Sequence, residues 1–184
     1  KKDSPYLFPI LNTEDENKAY SQYEIALFTS SITPNHRIVC YLLNRNDCQL
    51  DMARYLSYKM GIPARMIFNG YPLRGFEYCY PPAIKGWIEQ IGGAEVVVTD
   101  SFHGLVFSLL YHRQFAVIPI ANGLSSRLLD LLDLVGLEDH VFTSQEELEK
   151  NMEVLQRPID YERVDGILAI YRERSIDFLR NVLK

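Results

Sequence analysis

A chain of 184 residues has room for one domain, or a little more, with a hydrophobic core of its own. With 47% hydrophobic, 23% charged and 12% aromatic residues, its composition excludes disordered, collagenous and low-complexity classes. A formal charge of −5 argues against general nucleic-acid binding, which calls for a basic excess, but a small anion can still be held by local groups.

Residues 1–36 read as a lead segment, helical over Tyr20–Phe28 and a polar loop over Ser30–His36. Residues 37–184 read as one Rossmann-like domain ending in a helix. Arg37–Asn44 is a buried strand, and Asp47–Met60 follows as a helix with Leu50, Ala53, Leu56 and Met60 at helical spacing, Asp47 as its cap and Gly61 as its stop. Pro63–Phe68 is a second strand. Asn69–Tyr80 reads as a Gly/Tyr/Pro-rich loop, and Pro81-Pro82 opens a helix that carries Ile84, Trp87, Ile88 and Ile91 to a stop at Gly92-Gly93.

Ala94–Thr99 is a strand apolar on both faces, followed by a helix over Ser101–His112. Phe115–Ile120 is the fourth strand, and Leu128, Leu131, Leu132 and Val135 mark the helix after it. The βα rhythm predicts an α/β fold, a Rossmann-like parallel sheet with helices on both faces. Beyond Gly136, Ser144 and Glu147 suggest a capping box for a short helix to about Met152. Asp160 can cap a last helix through Leu183, with Val164, Leu168, Tyr171, Ile176, Leu179 and Leu183 as an apolar stripe.

No apolar run approaches the about 20 residues of a membrane span, and Lys1-Lys2-Asp3-Ser4-Pro5 lacks the apolar stretch of a signal peptide. Cys40, Cys48 and Cys79 form no CxxC pair and are odd in number, so neither a metal site nor a disulfide framework is expected, and a reducing, cytoplasmic compartment fits. The first residue is Lys rather than Met, so a longer parent chain is expected.

In an open parallel sheet, ligands bind outside the carboxyl ends of the strands. The sharpest of the four strand ends is Thr99-Asp100-Ser101-Phe102-His103-Gly104. It sets His103 in a first helical turn, where free N–H groups and the positive end of the dipole attract an anion, and a bound anion in turn favours the imidazolium. Gly104 would let a ligand approach the backbone. The plain alternative makes Asp100 or Ser101 an ordinary N-cap and His103 a hydrogen-bonded residue beside it. The fourth strand end, with Asn122, Ser125, Ser126 and Arg127, adds a cation at a helix start, where the dipole disfavours it. Arg127 either binds an anion there or pairs with Asp130 or Asp133 on the surface.

The stretch Trp87-Ile88-Glu89-Gln90-Ile91, then Ala94 to Gly104 with its Asp100-Ser101-Phe102-His103-Gly104 core, resembles the signature of the polysaccharide pyruvyl transferase family. The strand Phe115–Ile120 and Ser125-Ser126-Arg127 continue the likeness, which spans roughly Arg37 to Phe142. The resemblance implies the C-terminal half of a two-domain enzyme of the GT-B glycosyltransferase type, its N-terminal half outside this chain, and a fragment that alone turns over no substrate. It implies transfer of pyruvyl from phosphoenolpyruvate to paired hydroxyls of a glycan or lipid-linked sugar, forming a pyruvate ketal in surface or exopolysaccharide biosynthesis. No cofactor is implied, and work at the inner face of the cell membrane as a peripheral protein is compatible with it.

Carried over residue by residue, His103 becomes the catalytic acid or a phosphate ligand. Arg127 becomes an anion ligand, with Asp100, Ser101, Gly104, Asn122, Ser125 and Ser126 around the substrate. Ser101 departs from the family's common Arg at that place, which leaves donor identity open. A GT-B nucleotide-sugar glycosyltransferase or epimerase, or a non-catalytic sugar- or anion-binding module, would share the architecture.

Overall fold

A computed structural model describes residues 32–67, 71–79, 84–119 and 126–183. The expected Tyr20–Phe28 helix, the Pro81-Pro82 helix start, Asn122 and Ser125 lie outside the described residues. The chain divides into two compact units, one of Ile32–Ile159 and another that contains the final helix.

In the first unit, strand β1 (Ile38–Tyr41) leads into helix α1 (Asp47–Met60) and strand β2 (Ala64–Ile67). Strand β3 (Glu77–Cys79), helix α2 (Ile84–Gly92), strand β4 (Val96–Thr99) and helix α3 (Phe102–Leu110) follow. Strand β5 (Gln114–Val117) and helix α4 (Ser126–Val135) come next, then a single 3-10 turn at Glu138–His140 and the short helices α5 (Gln145–Lys150) and α6 (Met152–Gln156). The five strands run parallel in the order β3-β2-β1-β4-β5. The predicted α/β class and parallel Rossmann-like sheet are what the chain adopts.

Alternation along each strand divides the core between the two faces. Ile38, Cys40, Met66, Val96, Val98, Ala116 and Ile118 pack in one cluster with Leu50, Met52, Ala53 and Leu56 of α1. Val39, Val97 and Phe115, the intervening residues, are fully buried on the opposite side. There Trp87 of α2 stands edge-on between Tyr41 of β1 and Phe107 of α3, with ring centroids 5.1 and 4.9 Å away. Helices therefore cover both faces, as a sheet whose central strands β1 and β4 are buried on both sides requires.

Two local expectations change, and a short helix is added. A strand, β3, lies inside the stretch read as loop. It has only three residues, too few for a period to register, and it forms because Arg65↔Glu77 pairing sets it beside β2. Glu77 accepts from Arg65 Nη2 at 2.9 Å and from Arg37 Nε at 2.8 Å, and these bonds hold its carboxyl below the usual carboxylate range. The cap of α1 is Asn46 rather than Asp47: Asn46 Oδ1 accepts from the Gln49 N–H at 2.9 Å, and Gln49 Oε1 accepts from the Asn46 N–H at 3.2 Å. The short helix expected from Ser144 to about Met152 forms as α5, with Ser144 as its cap, and an unforeseen second short helix, α6, follows after Asn151.

His140, on the 3-10 turn, is buried. Its Nδ1 lies 2.9 Å from the Phe115 carbonyl and its ring leans on the Phe115 ring at 4.7 Å. Burial pushes its pKa down, in favour of the neutral imidazole that donates through Nδ1–H. The next residues join the sheet edge, where the Phe142 N–H donates to the Val117 carbonyl at 2.9 Å. In the second unit, helix α7 (Tyr161–Val182) is capped as expected by Asp160, which accepts from the Arg163 N–H at 3.1 Å.

Candidate functional site

The order β3-β2-β1-β4-β5 places the switch point of the sheet between β1 and β4. The chain leaves β1 through α1 toward β2 and leaves β4 through α3 toward β5, so the two loops part and open a crevice at their carboxyl ends. Residues 42–46 and 100–103 border it.

Each residue of the Thr99–Gly104 run has a physical assignment. Thr99 is fully buried, and its hydroxyl donates to the Tyr41 carbonyl at 2.7 Å and accepts from the Ser101 N–H at 3.0 Å, which ties the end of β4 to the end of β1. Asp100 turns across the crevice: Oδ1 accepts from the Leu43 N–H at 2.7 Å, and Oδ2 from the Asn44 N–H at 3.2 Å and Asn44 Nδ2 at 2.8 Å. Its carboxylate braces the β1 loop, where it was expected to cap a helix or face a ligand.

Ser101 is the N-cap of α3 by position but caps with no side-chain bond, and it is buried. Gly104 was expected to admit a ligand to the backbone. Instead the space above it is filled by Thr99, whose Cβ would lie 2.9 Å from a Cβ on residue 104, and the missing side chain lets α3 seat on β4.

His103 is exposed in the first turn of α3, so the imidazole expected to do chemistry is open to solvent. Phe102 beside it is half-buried, and its ring meets the His103 ring edge-on at 6.1 Å. Arg127, exposed in the first turn of α4, brings its guanidinium carbon to 5.3 Å from the same Phe102 ring. One aromatic ring thus gathers the histidine of the third strand end and the arginine of the fourth. Ser126 is exposed at the first position of α4.

The sequence reading missed Gln49. It is fully buried, and besides its capping role its Nε2 donates to the Ile118 carbonyl at 2.8 Å and to Asp100 Oδ2 at 3.3 Å. It links the loops after β1, β4 and β5. A glutamine three residues after an Asn cap was the available signal, and it announces a capping box without announcing the other two bonds.

Elsewhere, Cys40 is sealed in the core and burial pushes its thiol up to about 12, whereas Cys48 is exposed. Among the described residues no three His, Cys, Asp or Glu side chains group as a metal-holding set. Among them, too, no helix is long and apolar enough to cross a membrane.

The family described as polysaccharide pyruvyl transferase matches residues 3–122, more than half of the chain. The match takes in all five strands and the Thr99–Gly104 run. It begins earlier than the likeness read from the sequence and stops before Ser125, Ser126 and Arg127. No curated protein matches the chain.

Proposed function

Because the chain belongs to the polysaccharide pyruvyl transferase family, we propose that it transfers pyruvyl from phosphoenolpyruvate to two hydroxyls of a sugar, making a cyclic pyruvate ketal. The family implies a transferase with a polysaccharide acceptor; donor, product and residue roles are our reading. The supporting observation is the pairing of exposed His103 and Arg127 about the Phe102 ring at the carboxyl ends of β4 and β5.

The chemistry asks for an acid and for cations. The methylene carbon of the enolpyruvyl group gains a proton, and its neighbour becomes an oxocarbenium centre. One sugar hydroxyl adds there and loses its proton, the carbon–oxygen bond to phosphate breaks with the electron pair leaving on phosphate, and the second hydroxyl adds to the oxocarbenium carbon so formed and gives its proton to the released phosphate, closing the ketal. His103 supplies the proton or holds the departing phosphate. Arg127 neutralises the anion, and the first N–H groups of α3 add partial positive charge. Thr99, Asp100 and Gln49 keep the two loops in place. Ser126, with Asn122 and Ser125 outside the described residues, completes the substrate side.

The acceptor half of the cleft belongs, on this reading, to a second Rossmann-like domain, and the enzyme works in the cytoplasm near the membrane where lipid-linked sugars are assembled. The 184-residue chain alone then binds donor without turnover. The deciding experiment follows phosphate release and ketal formation by the parent enzyme with phosphoenolpyruvate and a glycan acceptor. His103→Ala should lower the rate by about 10²–10⁴-fold, the usual contribution of a positioned acid, with donor binding kept if His103 is the acid. Undiminished transfer in that variant, or use of UDP-sugars in place of phosphoenolpyruvate, would overturn the proposal.

A further inference from the structure

We propose that the apolar seam of the final helix, α7, is the docking surface for residues 20–28 of the same chain's lead segment. The inference stands apart from the function proposed above.

The seam itself is the first argument. Val164, Leu168, Tyr171, Ser175, Phe178 and Val182 follow one another at alternating steps of four and three residues, the spacing that sets one face of a helix against another helix. Burial changes along it. Val164 is fully buried and Leu168 half-buried, whereas Tyr171, Phe178 and Val182 are 43%, 67% and 64% exposed. The stretch from Tyr171 to Val182, about three turns, thus presents an aromatic and aliphatic strip to solvent. Large apolar side chains gathered in one strip mark a contact surface.

Charge says what kind of partner fits. The positions that border this strip in the helical repeat are Arg172, Arg174, Leu179 and Asn181, so cations flank it and no carboxylate does. Arg174 leans over the strip, its guanidinium carbon 5.2 Å from the Tyr171 ring. The acids of this part of the helix, Glu173 and Asp177, fall on the far side, where Asp177 pairs with Arg180 at 3.5 Å. A second copy of the helix brings the same arginines and no acid to meet them. The fitting partner is an amphipathic helix with acids beside its apolar face.

The lead segment has that chemistry. Tyr20, Tyr23 and Leu27 step by three and four residues, Glu24 stands beside them, and Glu14, Asp15 and Glu16 come just before, with Lys18 the one base between residues 14 and 28. A helix over residues 20–28 is about 14 Å long and the strip about 18 Å, so the one can lie along the other. Lys1–Ser31 and Asp160–Lys184 fall in one compact unit. The family match starts at residue 3, so the lead segment is part of the family's pattern rather than an appendage to it.

The test is hydrogen exchange read by mass spectrometry on the full 184-residue chain. Phe178→Asp should speed exchange of the amides of residues 20–28 by about 10-fold or more, and Tyr23→Asp should do the same for residues 171–182, with β1 and β4 unchanged in both. Local damage to one helix does not produce this reciprocal effect, and should Phe178→Asp fail to fold, Tyr23→Asp carries the test by itself. Glu24→Arg should loosen both segments, and adding Arg172→Glu and Arg174→Glu to it should restore part of the protection. Residues 20–28 that exchange in the wild type as fast as an unfolded peptide, or that ignore Phe178→Asp, overturn the proposal. So does a dimer seen by sedimentation, or binding to phosphatidylglycerol vesicles, that Phe178→Asp abolishes while exchange in residues 20–28 stays the same.

Discussion

Thr99 occupies the space that a side chain on Gly104 would need: a Cβ there would come within 2.9 Å of Thr99 Cβ and closer still to its hydroxyl oxygen. Thr99 cannot swing aside without giving up its bond to the Tyr41 carbonyl. Gly104→Ala should therefore lower stability by about 1–3 kcal/mol, the usual range for overpacking. Urea unfolding checks this, and a variant as stable as the wild type would show that α3 can lift from β4 at no cost.

Gln49 makes its bonds through both ends of its amide, in full burial. Gln49→Glu keeps the shape, removes the donor to Ile118 and sets a second carboxylate beside Asp100. We expect a loss of about 2–3 kcal/mol or more, since a buried acceptor is orphaned and like charges are brought together. The loss should shrink at low pH as the new carboxyl protonates, which denaturation at pH 7 and pH 5 would detect.

Phe102 contacts both His103 and Arg127. Phe102→Leu keeps bulk and removes the ring face, so stability should change by no more than about 1 kcal/mol, the size of a cation–π contact near the surface. Donor affinity should fall further than that, as Arg127 loses the surface that orients it. Titration of phosphoenolpyruvate against this variant, alongside its melting temperature, separates the two effects.

The folded state holds His140 neutral, with its pKa below that of the unfolded chain. As pH falls below about 6.5, the unfolded chain takes up the proton first, so stability present at neutral pH declines with acidification. His140→Gln should flatten this decline between pH 7 and pH 5.5, and an unchanged slope would assign the proton uptake elsewhere.

Thiol reagents should distinguish the cysteines. Cys48 is exposed and Cys40 is buried with its pKa pushed to about 12, so under native conditions Cys48 reacts and Cys40 reacts only on unfolding. Mass spectrometry after brief alkylation, with and without guanidinium, reads this directly.

Much of this architecture was legible in the sequence because parallel strands buried on both faces announce themselves as unbroken apolar runs, as in Val96–Thr99. The position of His103 followed from a strand running straight into a helix. What escaped was set by partners distant in sequence. β3 exists through Arg65 and Arg37, and Asp100 was drawn from a helix cap into a brace by N–H groups 56 and 57 residues earlier. A buried glutamine such as Gln49 looks, on a helix read alone, like any solvated polar residue. Gly104 was recognised as special, but its reason lay in the bulk of Thr99 rather than in a ligand.

Two guanidinium groups on the single carboxylate of Glu77 fasten the outermost strand to its neighbours. Its lowered pKa means that this fastening is complete above the ordinary carboxylate range and lets go as acid protonates the group. Once β3 peels away, β2 presents a naked row of amide and carbonyl groups, and such a border recruits strands from other molecules. Strong acid should thus weaken the hold of β3 on β2, the first place where that rim could be bared.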